Sequence, residues 1–260
     1  MSSPDIGQTI VWLETCESTM DEARERAMTG QLSDGSVLAA RQQEAGRGRH
    51  GRTWHTDPRL SLAASVVLAP RFDVSRAPLL TVALGAALTA CLRQQLGLPV
   101  EMKWPNDIVD HESRKLAGIL VEAHALGTAT PLLVAGIGMN LGQGAADFPR
   151  DLRSLATSIA LLSPGRPWPT QDAALELVVT AIRRAWPLVS DGPALESLWR
   201  ETSGDRGRRV RVQAGDRTTE GTVRDFEVDR GLLIEDDTGT LQAVRAEQIS
   251  RCERIKGDVG

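Results

Sequence analysis

The run Gly46-Arg47-Gly48-Arg49-His50-Gly51-Arg52-Thr53-Trp54 limits what the chain around it can be. Three glycines and three arginines fall within residues 46–52. That is too much glycine for a stable helix or strand, so the segment reads as a loop. Runs rich in β-formers flank it at residues 36–43 and 60–68, so the loop joins two strands of a sheet. Glycine lacks a Cβ, which permits positive φ and close backbone approach to a ligand. The arginines add fixed charge and forked donors suited to carboxylate or phosphate oxygens. An anionic ligand is one reading. A surface turn, or an arginine–glycine contact to nucleic acid, uses the same residue types.

Composition weighs these readings. The 260 residues carry a net charge of −4 and only 3% aromatics, with a pI near 5.7. The surface as a whole is not built for nucleic acid, and base stacking has few platforms. At 41% hydrophobic and 25% charged, the chain has room for one large domain and a small one. Cys16, Cys91 and Cys252 are far apart and lack metal-type spacing. They point to a reducing cytoplasm and against a disulfide framework or zinc site. No basic segment followed by an apolar run opens the chain, so no signal peptide is expected. The most apolar stretch, 78–92, falls short of the roughly 20 residues of a membrane span and reads as a buried helix.

Taken in order, residues 9–14 predict a first strand. A helix follows, opened by a capping box (Ser18 with Asp21, or Thr19 with Glu22) and stopped at Gly30. A long apolar helix spans 75–96 and packs on the sheet. A strand over 100–104 breaks at Lys103-Trp104-Pro105-Asn106-Asp107, where proline removes a ladder donor and Asn-Asp favours a turn. Strands at 108–109, 115–122 and 132–137 lead to Gly136-Ile137-Gly138-Met139-Asn140, which lacks the third glycine and the opening helix of a dinucleotide fingerprint. Residues 163–169 form a linker, and amphipathic helices at 173–186 and 194–199 close the first domain, 1–203. Residues 204–260 change texture: short strands at 209–213, 220–228, 231–235, 241–245 and 248–251 alternate with glycine turns, which makes a small barrel.

Together and in this order, Ser18-Thr19, residues 43–54 (QEAGRGRHGRTW), 103–107 (KWPND), 115–120 (KLAGIL) with Glu122, and 136–140 (GIGMN) resemble the biotin protein ligases. The resemblance runs from about Thr9 to the final barrel. It implies an α+β fold: a mixed β-sheet catalytic domain packed by helices, like the class II synthetases, plus a small SH3-like C-terminal barrel. It also implies two steps. Biotin and MgATP form biotinyl-5′-AMP and pyrophosphate, and the adenylate then acylates one lysine of a biotin carboxyl carrier protein.

Carried over by position, Ser18, Thr19, Met20, Gln43, Arg47, Gly48, Arg49 and Lys115 would contact biotin or its activated carboxylate. Arg47, Arg49, Arg52, Trp54, Lys103, Asn106, Asp107 and Asn140 would contact ATP or the adenylate. Catalysis falls to Lys115, Arg49, Lys103 and Asp107, with Trp54 and Trp104 as apolar walls. No protein-only metal cage is expected; Mg2+ arrives with ATP, near Asp107. The 46–54 loop is expected to fold over the reactive adenylate and to be poorly ordered without ligand.

Two departures from the family's pattern stand out. Many members have asparagine after Ser-Thr, where this chain has Met20. Longer bacterial members carry an N-terminal winged helix-turn-helix, for which the residues ahead of Ser18 leave no room, so a ligase without repressor function is expected. The nearest rival is a lipoate–protein ligase or octanoyltransferase of the same fold. The expected partners exclude nucleic acid and membrane, the chain is a monomer or homodimer, and it is cytoplasmic.

Overall fold

A computed structural model describes residues 4–127 and 131–255; the outermost residues of the two expected domains, 1–3 and 256–260, lie outside them. The chain runs β1 (Ile10–Cys16), α1 (Thr19–Met28), β2 (Val37–Gln43), β3 (Ser61–Leu68), α2 (Ala77–Leu96), β4 (Val100–Lys103), β5 (Asp107–Asp110), β6 (Lys115–His124) and β7 (Leu132–Asn140). Then come α3 (Ile159–Leu162), α4 (Gln171–Leu188), α5 (Gly192–Thr202) and the strands β8 (Arg209–Ala214), β9 (Arg217–Glu227), β10 (Gly231–Glu235), β11 (Leu241–Val244) and β12 (Ile249–Arg254). The fold is α+β.

The first sheet has seven strands in the order β1-β2-β3-β7-β6-β5-β4. Among the described strands of this sheet only β1 and β2 pair with each other in parallel, and α1 is the crossover that parallel pairing requires. The alternation of strand side chains splits the apolar residues between two faces. Val37, Ala39, Val66, Leu68, Leu133 and Ala135 turn toward the core that α2, α4 and α5 complete. Leu38, Val67 and Val134 turn the other way, onto Met20 and Ala23 of α1.

Helix α2 is buried nearly all round: Leu80, Leu84, Leu88 and Leu92 are at most 1% exposed. With the turn ahead of it, it covers Val74–Leu96, 23 residues, longer than the apolar stretch read from sequence. That length and composition could cross a membrane, but 72% of its most apolar window is buried inside the protein. It ends at Gly97, whose φ of +65° provides the left-handed stop.

The second sheet has five antiparallel strands in the order β11-β10-β9-β8-β12. Among the described residues its ladder does not close, β11 and β12 being its edges, where a small SH3-like barrel was expected. It joins the first sheet through an aromatic cluster: Trp104 packs on Phe226 at 5.1 Å and on Trp199 at 6.4 Å.

Candidate active site

A cleft over β3, β7 and β6 has a floor of small residues in register. Across β3, β7 and β6, Ala63 faces Gly138, which faces Gly118; one row along, Ser65 faces Gly136, which faces Leu120. A Cβ on Gly136 would lie 2.7 Å from the Met20 side chain, and one on Gly118 would lie 2.8 Å from Lys115 Nζ. A Cβ on Gly138 would overlap the Trp54 indole. Glycine inside a strand marks close approach, and here it lets three side chains lie flat across the sheet.

One wall is the start of α1. Ser18 is the N-cap, but its hydroxyl makes no capping bond, contrary to the expected capping box. Gln43, at the end of β2, substitutes: its Oε1 accepts from Thr19 N at 2.8 Å and from Thr19 Oγ1 at 3.1 Å. Ser65 Oγ donates to Thr19 Oγ1 at 2.9 Å. A free helix-end N–H is satisfied from another strand, and the Ser18 hydroxyl is not spent on the helix.

The glycine–arginine loop forms the roof. It is closed by bonds from Gly48 N to Arg52 O (2.7 Å) and from Trp54 N to Gly46 O (2.8 Å). Positive φ falls on His50 (56°) and Gly51 (71°), not on Gly46 or Gly48. Gly46 is needed for space, because a Cβ there would collide with Gln43 and the Trp54 carbonyl. Arg47 donates to Glu122 of β6 (3.1 Å) and to Asp21 of α1 (2.9 Å). Arg49 reaches the second sheet, donating to the carbonyls of Ala246 and Ile249 at 2.9 Å each and to Asn106 Oδ1 at 3.3 Å. Burial holds the pKa of Arg49 below its usual value, Asp107 opposing the shift. His50 Nε2 sits 3.0 Å from Ile249 O.

At the cleft's polar end, Lys115 Nζ lies 2.7 Å from Asp107 Oδ1, a charge contact outside hydrogen-bond angles. The ammonium also lies 5.5 Å from the Trp54 ring centroid. Asn106 donates to Ile119 O at 3.1 Å. The cleft is narrow and half open, with a cavity volume of about 50 Å3. Of the residues singled out from sequence, Ser18, Thr19, Met20, Gln43, Arg47, Gly48, Arg49, Trp54, Asn106 and Lys115 line it.

The others sit elsewhere. Asp107 stands behind Lys115. Lys103 ends β4, and Arg52, within the loop, is exposed. Asn140 is buried, donating to Thr157 O at 2.9 Å and Lys115 O at 3.3 Å, so it ties β7 to the segment beside Lys115. Trp104 is 2% exposed and belongs to the aromatic cluster between the sheets, not to a cleft wall. Sequence reading assigned no role to the floor residues Gly118, Gly136 and Gly138. Among the described residues, no three His, Cys, Asp or Glu side chains are grouped to hold a metal.

The cleft is thus floored by glycines, roofed by a basic loop and closed by a lysine–aspartate pair. The Biotin/lipoate A/B protein ligase family profile matches residues 12–140. The chain is 33% identical over 237 residues to the biotin–[acetyl-CoA-carboxylase] ligase of Mycobacterium tuberculosis, covering 89% of this chain and 85% of that protein. It is 26% identical to the bifunctional ligase/repressor BirA of Bacillus subtilis, over 93% of this chain and 74% of that one. Among solved structures, the biotin protein ligase of Aquifex aeolicus in complex with biotin and ATP superposes with a TM-score of 0.81 at 24% identity, covering 95% of this chain and 100% of that one. The chain belongs to the biotin protein ligase family and is a ligase.

Proposed function

We propose that the chain joins biotin to ATP, forming biotinyl-5′-AMP with release of pyrophosphate, and then transfers the biotinyl group to a lysine of a biotin carboxyl carrier protein. The observation that carries this reading is the Lys115 ammonium at the polar end of the glycine-floored groove. In the first step a carboxylate oxygen of biotin attacks the α-phosphorus, and the bond from that phosphorus to the leaving pyrophosphate oxygen breaks. Both reactants are anionic. A cation held between them in a water-poor cleft lowers their repulsion and stabilises the charge that builds on phosphorus. In the second step a neutral lysine amine of the carrier attacks the acyl carbon, and AMP leaves.

Ser18, Thr19 and Gln43 offer the mixed donors and acceptors that a ureido ring needs, and Met20 and Trp54 face the apolar ring and chain. Arg47 and Arg49 lie over the activated carboxylate, with Arg52, Lys103 and Asn106 on the nucleotide side and Asn140 behind Lys115. Magnesium requires only one or two carboxylates when phosphates supply the remaining ligands. Asp107 offers one, so Mg2+ would enter with ATP. Residues 1–203 make up the catalytic unit and 204–260 the smaller one, whose five strands suit an SH3-like curl. The three cysteines are free and buried, which suits the reducing cytoplasm.

The test is transfer of labelled biotin to a purified carrier domain, with its acceptor lysine and with that lysine changed to arginine. Labelling of the first alone, uncompeted by lipoate, is expected. Labelling with lipoate or octanoate instead would move the chain to the sister enzymes.

A further inference from the structure

The turn that carries Asn106 and Asp107 is held from the far side by the second unit. Asp205 is fully buried. Its Oδ2 accepts from the backbone N–H of Trp104 at 2.6 Å, and its Oδ1 accepts from Arg254 Nε at 2.7 Å. Arg254 comes from the last strand, β12, and its side chain is only 8% exposed. Its Nη1 donates to Ser113 Oγ at 3.2 Å, in the turn between β5 and β6. Its Nη2 lies 3.2 Å from Glu101 Oε2 on β4, and Glu101 pairs in turn with Arg208 at 2.9 Å.

A buried ion pair is a poor way to gain stability, because desolvation offsets most of the attraction and apolar residues of similar size do as well. It does impose direction. The Trp104 N–H lies just beyond the β4 ladder, and Asp205 gives it a single charged acceptor. The indole of the same residue is wedged between Trp199 and Phe226, so the turn is fixed through backbone and ring together. Downstream, Asn106 accepts from Arg49, and Asp107 faces Lys115. A shift of the turn therefore moves Arg49 and Lys115, two of the three cationic groups that line the cleft.

We infer that Asp205, held by Arg254, is a positioning residue for adenylate formation: it sets the Trp104–Asp107 turn so that Asn106 and Asp107 hold Arg49 and Lys115 in place. The inference rests on the proposed ligase reaction. Ser18, Thr19 and Gln43, which offer the contacts to the ureido ring, lie on other elements, so that part of biotin binding is left intact.

The experiment uses the full chain with Asp205→Ala, Asp205→Asn and Arg254→Lys. It reads biotin-dependent ATP–pyrophosphate exchange, scaled to the folded fraction from circular dichroism, beside amide hydrogen exchange of the peptide containing Lys103–Asp107. Misplacement by about 1 Å costs on the order of 100-fold. Asp205→Ala is therefore expected to lower kcat about 30- to 100-fold with KM for biotin little changed. Asp205→Asn, which still accepts from Trp104 N, should recover most of that loss. Amide exchange in the turn should rise in the alanine variant.

Unchanged kcat per folded molecule in Asp205→Ala, or equal losses in the alanine and asparagine variants, would overturn the positioning role. If Asp205→Ala does not fold, Asp205→Asn and Arg254→Lys carry the same comparison. If the wild type shows no exchange with biotin, the ligase reading fails. The amide-exchange arm still decides whether Asp205 holds the turn.

Discussion

Lys115 Nζ stands 2.7 Å from Asp107 Oδ1, the two residues coming from neighbouring strands in which Asp107 faces Gly118. The cation of the cleft is thus held in place by the fold before any substrate arrives. Such preorganisation is what makes charge stabilisation effective, since nothing has to reorganise as the reaction proceeds.

If that pair sets the ammonium's position, Asp107→Asn should slow pyrophosphate exchange by about 10- to 100-fold, within the range for loss of preorganised electrostatics. Biotin binding by calorimetry without ATP should stay close to wild type. A weakened affinity for biotin with unchanged exchange at saturation would assign Asp107 to biotin binding instead.

The glycine floor makes a sharp contrast with the roof. In Gly138→Ala the new methyl meets the Trp54 ring, and overpacking of this kind costs about 1–3 kcal/mol. The variant should melt several degrees lower and bind biotin much more weakly. Gly48→Ala meets nothing nearer than Arg52 O at 3.5 Å, with φ at −117°, so its stability should change by no more than about 0.5 kcal/mol. Thermal melts of both variants check this.

Burial lowers the pKa of His124, with Glu122 opposing that shift. The unfolded chain therefore binds this proton at higher pH than the folded one. The associated stability is complete above the ordinary histidine value, near 6.5, and is lost as pH falls below it. The melting temperature should fall between about pH 7 and 5, more steeply in wild type than in His124→Gln. Equal slopes would remove His124 from the account.

Burial also raises Cys252 to about 12 and Cys16 to about 11. The thiolate is the reactive form. Iodoacetamide at pH 8 should leave both unmodified in the native protein and label them rapidly in denaturant, as read by peptide mass. Native labelling of Cys252 would mean that β12 opens readily.

Local signals carried most of the fold. Strand and helix runs lie close to their expected bounds, and the glycine stop at Gly30 holds, because these depend on neighbours in sequence. What depends on pairing across strands was not legible. The row Ala63, Gly138, Gly118 exists only once β3, β7 and β6 are in register. Gln43 replaces the expected cap on α1 from 24 residues away. Arg49 finds its carbonyls some 200 residues later in the chain. Trp104 was expected as a site wall by its position in the resemblance, yet its ring turns back onto Trp199 and Phe226. Asp205 gave no signal at all, since a lone aspartate in a glycine-rich turn is ordinary.

The central claim is that this cleft adenylates biotin with Lys115 as the stabilising charge. Biotin-dependent ATP–pyrophosphate exchange, run with wild type and Lys115→Ala and with lipoate in place of biotin, tests it most directly. The account predicts exchange with biotin alone, reduced about 100- to 1,000-fold in the variant. Exchange that needs lipoate, or that proceeds at the wild-type rate without Lys115, would contradict it.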